Sequence, residues 1–152
     1  MYIKALTIDK LNLLSDLFDY NNVEDMIKSN KEKILNGDID IFCLFDDDSN
    51  ILGELRVMYD NKDNSFAKKG TRAYLYAFRI QKNYQNKGYG KYILNNVISI
   101  LKDKGYLEFT VGVEDGNYAK NIYKKSGFTK YIKSVDEEYQ GDKYTYNLYL
   151  KD

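Results

Sequence analysis

The chain has 152 residues, in which 23 lysines and arginines balance 23 aspartates and glutamates, with no histidine and one cysteine. This length fits a single domain over residues 1–152 that buries a substantial core. The balanced charge offers no global field to attract nucleic acid or an anionic membrane. The lack of histidine excludes Ser-His-Asp and Cys-His nucleophilic schemes, and with only one cysteine it also excludes the usual zinc ligand sets, so we expect no metal. Acid-base chemistry must fall to Tyr, Asp, Glu, Lys or water.

The N-terminal sequence and the single cysteine bear on location. The stretch "MYIKALTIDK" lacks the apolar core of a signal peptide, and no apolar run approaches the roughly 18 residues of a membrane helix. We therefore expect a cytoplasmic protein without a membrane partner. Cys43 lies in an apolar strand, which indicates a buried structural thiol rather than a catalytic one.

The first part of the chain predicts one strand and two helices. "YIKAL" at 2–6 has the composition of a short strand. From Asp9, a candidate cap, to about Tyr20, apolar side chains recur at helical spacing: Leu11, Leu14, Leu17 and Phe18. "VEDMIKSNKEKIL" at 23–35 predicts a second helix, which Gly37 ends.

Three strands follow. The segment 38–60 predicts a hairpin, because Ile39, Ile41, Cys43 and Phe45 alternate with other side chains and "DDDSN" supplies a turn. The aromatic-rich "TRAYLYAFRI" at 71–80 predicts the next strand.

The second half predicts two more helices among three strands. A helix follows the glycine turn, with an apolar stripe that ends near Gly105: Ile93, Leu94, Val97, Ile98 and Leu101. A strand at 107–113 precedes a short helix at 117–128, which Gly127 stops. Two last strands, 129–134 and 143–151, flank an acidic loop at 135–142. This order predicts an α/β domain with a mixed sheet.

The turn "QNKGYG" at 85–90 stands where a helix must begin. A helix N-terminus leaves backbone N–H groups unpaired, and glycines let an anion approach them closely. Gln85, Lys87 and Lys91 add side-chain donors. The turn therefore indicates an anion site, although glycines between a strand and a helix often only permit a tight turn.

Other phosphate-binding motifs fit the turn less well. The third glycine of a dinucleotide fingerprint would fall at Ile93, and no G-K-[ST] of a Walker loop follows. A mononucleotide-binding domain remains a weaker alternative.

Two motifs together resemble the GNAT superfamily of acetyl-CoA-dependent N-acetyltransferases. "QNKGYG" matches its [R/Q]-x-x-G-x-[G/A] signature between a strand and an amphipathic helix. Its A-x-x-x-Y-x-x-x-G-F hallmark is matched by Ala119, Tyr123, Gly127 and Phe128. The resemblance implies a single-domain GNAT-type fold: a central, mostly antiparallel mixed sheet of about seven strands with four helices, splayed between strands four and five.

The resemblance also implies which residues bind acetyl-CoA, the expected cosubstrate. The pyrophosphate would lie against the backbone at Lys87, Gly88, Tyr89, Gly90 and Lys91, with Gln85 at the first motif position. The main chain of Phe78 and Ile80 would pair with the pantetheine arm as an added strand. Asn117 is also expected to contact the cosubstrate, although the family asparagine stands one residue earlier, at Gly116 here.

Tyr123 matches the tyrosine that donates a proton to the departing thiolate, and a phenol is protonated at neutral pH. A buried structural tyrosine is the alternative. The general base stays open, because the fourth strand carries no acid; Glu54, Glu108 and a water chain are the candidates.

The implied reaction is direct attack of a primary amine on the thioester in a ternary complex. Acidic residues that would attract a cationic amine are Asp16, Asp19, Glu24, Asp25, Asp136, Glu137, Glu138 and Asp142. Small amines, polyamines, amino acids and peptides stay open as acceptors, and the sequence is compatible with a homodimer. The alternative function is a catalytically silent acyl-CoA-binding or regulatory module on the same fold.

Overall fold

A computed structural model describes residues 1–117, 119–139 and 141–152. The strands are β1 Tyr2–Ala5, β2 Ile39–Phe45, β3 Ile51–Met58, β4 Arg72–Ile80, β5 Glu108–Val113, β6 Lys130–Tyr139 and β7 Asp142–Lys151. The α-helices are α1 Val23–Leu35, α2 Tyr89–Asp103 and α3 Ala119–Lys125. A 3₁₀ helix, Ile8–Asp16, is the fourth helix, and Lys82–Tyr84 forms a single 3₁₀ turn. The predicted order of elements is confirmed.

The seven strands form one mixed sheet in the order β1-β2-β3-β4-β5-β7-β6. The chain divides into two compact units. The first consists of Met1–Met58 and Ala77–Val97, and the second of Tyr59–Tyr76 and Ile98–Asp152. Both β4 and α2 therefore contribute residues to each unit.

The first unit is an antiparallel meander covered by the N-terminal helices. Tyr2 of β1 pairs with Phe45, and Ile39 of β2 pairs with Met58 of β3. The core is apolar and comes from all these elements: Leu6, Leu11, Leu14, Met26, Ile39, Ile41, Cys43, Phe45 and Ile51. The predicted hairpin at 38–60 is confirmed.

The first helix differs in type from the expected one. Ile8–Asp16 is a 3₁₀ helix, and its N-cap is Thr7 rather than Asp9. Leucines at 11, 14 and 17 recur every third residue, which is the 3₁₀ period, so the buried Leu11 and Leu14 align along one face. Asp9 lies inside the first turn, and a side-chain hydrogen bond with Thr7 lowers its pKa.

The second unit contains the parallel pair and the last hairpin. β4 pairs with β5 over Arg72–Leu75 and Glu108–Val111, and Tyr76–Ile80 lie beyond that register. β7 pairs antiparallel with both β5 and β6.

The acidic segment 135–142 was expected to be a loop, and this expectation is wrong for most of it. Residues 135–139 continue β6 and pair with 142–146 of β7, while residue 140 lies outside the described part. The acidic residues of β6 do not stand opposite other acidic residues. Glu138 stands opposite Lys143, and the Thr145 hydroxyl donates to Asp136 at 2.5 Å. Cross-strand pairs of this kind stabilise a sheet in spite of its charge.

All three α-helices end in the same way. A glycine with positive φ follows each helix cap: Gly37 (+76°), Gly105 (+97°) and Gly127 (+99°). The N–H groups of Asp38, Tyr106 and Phe128 reach back to the carbonyls of Lys33, Leu101 and Tyr123. This is the Schellman motif, which satisfies carbonyls that the helix leaves unpaired.

Cys43 is wholly buried in the first unit, and burial raises the pKa of its thiol to about 12. The thiolate is the reactive form, so native protein should resist iodoacetamide between pH 7 and pH 10. We expect complete alkylation in urea and less than about a tenth of that rate in buffer, measured by mass spectrometry. Fast native labelling that rises through the usual thiol range near pH 8.5 would contradict this. Because the raised pKa favours the folded state below the ordinary thiol range, that contribution is lost as the pH rises toward 12.

Candidate functional site

The loop between β4 and α2 is held by hydrogen bonds to its own unit. After Ile80, the Gln81 N–H donates to the Leu52 carbonyl at 2.9 Å, and its side-chain amide donates to the Ile51 carbonyl. The Gln85 Nε2 atom donates to the Ile80 carbonyl at 3.0 Å. These bonds fix the course of the backbone before the helix begins, and they give Gln85 a structural role at the first motif position.

The backbone then turns through two residues in the left-handed region. Asn86 has φ +61° and Gly88 has φ +83°. A Cβ atom added at Gly88 would meet nothing within 4 Å, so the space beside this backbone is open. Gly88 is thus required by its conformation and not by crowding within the unit.

The start of α2 presents donors at this open space. The N–H of Tyr92 donates to the Gly88 carbonyl at 3.1 Å, so the amides of residues 88–91 precede this first turn of hydrogen bonding. The positive end of the helix dipole lies at the same place, and the Lys87 ammonium is 5.8 Å from the centroid of the Tyr84 ring. The predicted residues Gln85, Lys87, Gly88, Tyr89, Gly90 and Lys91 are therefore brought together in a backbone arrangement suited to an anion.

The end of β4 carries a feature that the sequence did not reveal. Ala77 has φ +49°, which is rare for a residue with a Cβ and departs from extended geometry inside β4, just before Phe78. Gly53 of β3 allows the chain to approach closely here, since a Cβ at this position would lie 2.8 Å from the Arg79 carbonyl oxygen and 2.6 Å from the Ile80 side chain. Phe78 and Ile80 thus belong to a strand segment that is strained at Ala77 and packed closely against Gly53.

Glu54, a candidate base, is fully buried on β3 and paired with two guanidinium groups. The Arg79 Nε atom donates to Glu54 Oε1 at 2.8 Å, and Arg79 Nη2 contacts the same oxygen. The Arg56 Nη2 atom lies 3.6 Å from it. These contacts engage Glu54 in the core of the first unit, which disfavours it as a base for an incoming amine.

The segment between the first helix and α1 covers this ion cluster. The Phe18 ring lies 4.0 Å from the Arg79 guanidinium carbon. The Tyr20 hydroxyl oxygen accepts from Arg56 Nη2 at 2.8 Å and from Arg79 Nη2 at 2.7 Å. Burial lowers the pKa of Arg79, but the Glu54 carboxylate and Tyr20 outweigh it and the pKa is raised, so this guanidinium is charged.

Glu108, the other candidate acid, belongs to the second unit. Its Oε2 accepts from Arg72 Nε at 2.9 Å and from Arg72 Nη2 at 2.5 Å, and both side chains are partly exposed. One carboxylate oxygen of Glu108 thus accepts two hydrogen bonds from Arg72, and Glu108 is the ion-pair partner of an arginine on the neighbouring strand β4.

Tyr123 is buried on α3, where the helix end fixes its position. Its carbonyl accepts from the Phe128 N–H at 3.0 Å, and the two rings pack edge to face at 5.7 Å. The spacing Tyr-x-x-x-Gly-Phe is thus that of a Schellman cap with its hydrophobic contact. Burial raises the pKa of the Tyr123 phenol well above its usual range, which keeps it protonated.

A cavity of about 270 Å³ lies beside Tyr123 in the same unit. Its other lining residues come from β5, α3 and the segments that follow: Val113, Lys120, Lys124, Phe128, Thr129 and Tyr149. Asn117 lies at the opposite end of α3, where its Oδ1 accepts from the Ala119 N–H at 2.9 Å. Asn117 therefore begins the helix, and its contact with a cosubstrate stays a prediction.

Two kinds of feature are absent from the described residues. No group of three or more potential metal ligands occurs among them. None of their helices is long and apolar enough to cross a membrane.

Glu54 is fully buried, whereas Glu108 is partly exposed. We therefore expect different losses of stability when each glutamate is replaced. Glu54→Gln removes the buried negative charge that pairs the guanidinium groups of Arg56 and Arg79, and we expect a loss of about 3 kcal/mol in the free energy of unfolding. Glu108→Gln, in a partly exposed pair, should cost less than about 1 kcal/mol. Urea titration followed by circular dichroism measures both. Equal losses in the two variants would contradict the buried cluster.

Comparison with known proteins supports the same fold. The model of the acetyltransferase (GNAT) family matches residues 11–128. A spermidine N-acetyltransferase chimera from Vibrio cholerae superimposes with a TM-score of 0.79 at 16% identity, over 99% of this chain and 95% of that one. A ribosomal-protein-alanine N-acetyltransferase from Brucella melitensis gives 0.77 at 14% identity, over 99% of both chains.

A third solved structure carries coenzyme A. This ribosomal-protein α-N-acetyltransferase has a TM-score of 0.75 at 18% identity, over 98% of this chain and 92% of that one. No curated protein sequence matches the chain. The family match extends over most of the chain and includes both hallmark motifs, so the predicted membership is confirmed: the chain belongs to the GNAT acetyltransferase family.

Proposed function

We propose that residues 1–152 form a single N-acetyltransferase domain that transfers the acetyl group of acetyl-CoA to a primary amine. The observation that carries this proposal is the loop before α2, where backbone donors meet open space at Gly88. The use of acetyl-CoA by this family supports the identity of the anion as the cosubstrate pyrophosphate. When bound, acetyl-CoA supplies an activated acyl group, and the residues of the chain bind and orient it.

The loop would hold the pyrophosphate through backbone N–H groups from Lys87 to Lys91. Charge-assisted hydrogen bonds contribute about 1.5–3 kcal/mol each, so three or four would bind a diphosphate well. The lysine side chains at both ends of the loop add attraction that salt screens. Specificity then comes from the backbone geometry, which Asn86 and Gly88 set by their positive φ.

The end of β4 would align the thioester. We infer that Phe78 and Ile80 pair with the pantetheine through their main chain, as an edge strand would. The turn of the backbone at Ala77 reorients the next peptide group, so the Phe78 N–H is our candidate donor to the carbonyl oxygen on which negative charge develops.

Direct transfer requires two proton movements. The amine nitrogen forms a bond to the acyl carbon, the carbon–sulfur bond breaks, and the sulfur leaves with the electron pair. We assign Tyr123 to the leaving thiolate, to which the phenol donates its proton. The amine proton passes to water in this scheme, because Glu54 and Glu108 are both engaged by arginines.

Gly88→Val should abolish the pyrophosphate site. A β-branched side chain at φ +83° is strained and fills the open space, so we expect the Kd for CoA to rise at least tenfold in calorimetry. Gly37→Val is the matched control, since Gly37 has φ +76° and open surroundings at the far end of α1. CoA affinity that falls equally in both variants, or in neither, would place the pyrophosphate elsewhere.

Tyr123→Phe should lower kcat about 100-fold or more while the Kd for acetyl-CoA changes less than twofold. The raised pKa of Tyr123 means that wild-type activity should not fall through loss of its proton between pH 7 and pH 10. Thiol release measures turnover, and Tyr131→Phe, at a largely exposed tyrosine, is the control. An unchanged kcat in Tyr123→Phe would remove it from the mechanism.

The acceptor is best sought with a panel of polyamines, amino acids, aminoglycosides and peptides. Transfer to any of them supports the enzyme, whereas CoA binding without turnover on every amine supports the silent acyl-CoA-binding module. The homodimer stays a prediction.

A further inference from the structure

We propose that the acceptor amine also carries a carboxylate, which Arg79 and Tyr20 bind. This inference rests on the proposed acetyl transfer and names the class of its second substrate. All residues that carry it belong to the first unit.

The cluster around Glu54 holds one more positive charge than negative. Within the described part of the chain, Glu54 forms ion pairs with Arg56 and Arg79, and neither arginine pairs with another acid. The exposed fractions of the side chains are 0% for Glu54, 10% for Arg56 and 33% for Arg79. A buried charge is costly unless it is paired, so the excess charge favours an anion at Arg79, the most exposed of these three side chains.

The Tyr20 hydroxyl adds a second donor at the same place. Its oxygen accepts hydrogen bonds from both arginines, so its own proton is left to donate to a third group. No acceptor for that proton lies among the residues that the structure describes. Arg79 Nη1 likewise has no partner there, which leaves a phenol and a guanidinium edge as donors side by side.

The surroundings of Arg79 favour a carboxylate approaching edge-on. Phe18 covers a face of the guanidinium at 4.0 Å, and Glu54 takes its Nε and Nη2 atoms. The remaining edge, with the Tyr20 hydroxyl, matches the two oxygens of a carboxylate. Arg79 also stands between Phe78 and Ile80, so such a ligand would lie next to the strand segment that we assign to the thioester.

The first test compares substrates that differ in the carboxylate alone. Acetyl transfer is measured for a panel of α-amino acids, their amides and the amines that lack the group, each at saturating acetyl-CoA. We expect kcat/KM for the preferred amino acid to exceed that for its amide at least tenfold. Equal rates, or transfer to plain amines and not to amino acids, would overturn the proposal.

The second test removes the donors one at a time. Tyr20→Phe keeps the ring and should raise KM for the amino acid about tenfold, bring the acid-to-amide ratio toward one and leave the Kd for acetyl-CoA unchanged. Arg79→Lys keeps the charge but loses the flat edge, and it should act in the same direction. Tyr2→Phe is the control, because it removes a hydroxyl from an exposed tyrosine of the same unit. A merely structural role for Tyr20 would lower the rates of acid and amide together and so contradict the proposal.

A binding measurement separates this inference from the proposed function. In the presence of CoA, free amino acids should raise the melting temperature of wild-type protein, and their amides should not. The shift should be absent in Tyr20→Phe. If no amine is acetylated but this shift occurs, the transfer activity is wrong and the carboxylate site stands. If amines are acetylated but amino acids neither raise the melting temperature nor exceed their amides in kcat/KM, the carboxylate site is wrong.

Discussion

The buried carboxylate of Glu54 constrains the whole first unit. β3 is buried along nearly its full length, and an isolated charge in such a strand would cost several kcal/mol. Residues 54 and 56 share a face of β3 because side chains alternate along a strand, so Arg56 is the compensating charge nearest in sequence. Arg79 of β4 completes the cluster from a strand 25 residues further along the chain.

This ion cluster links the N-terminal segment to the end of β4. Phe18 and Tyr20 reach the cluster from the turn between two helices, and neither contact is available unless Arg79 lies where Glu54 holds it. The left-handed Ala77 lies two residues before Arg79, and conformations of this kind persist only where the surroundings determine them. The Glu54–Arg79 pair and the close packing at Gly53 supply that determination. A strand end held in this way suits the alignment of a ligand better than a free edge would.

Local signals in the sequence predicted most of the fold. The glycines that end the three α-helices, the hairpin turn and the apolar stripe of α2 depend on residues a few positions apart, and each lies where it was expected. The leucines at 11, 14 and 17 predict a helix but not its type, because a spacing of three residues fits both the α-helix and the 3₁₀ helix. The run of acidic residues after Val135 predicts a loop when it is taken alone, whereas the cross-strand partners that stabilise it as a strand come from β7.

The parts of the site that the sequence did not reveal depend on long-range contacts. Nothing near Glu54 in sequence shows that Arg79 will neutralise it, and an alanine at a left-handed position has no sequence signature. Glu54 therefore resembled a free acid and a candidate base. Tyr20 could not be identified from the sequence for the same reason, because it is 59 residues away from Arg79 and is one of 16 tyrosines.

The two motifs that identify the family are opposite ends of helices, and they differ in what remains to be satisfied. At the start of α2 the backbone donors face open space at Gly88, where the proposed anion would satisfy them. At the end of α3 the Phe128 N–H already satisfies the Tyr123 carbonyl, so nothing in that backbone requires a ligand. The first motif is therefore direct support for binding. The second fixes a side chain in place, and its chemical role depends on the phenol alone.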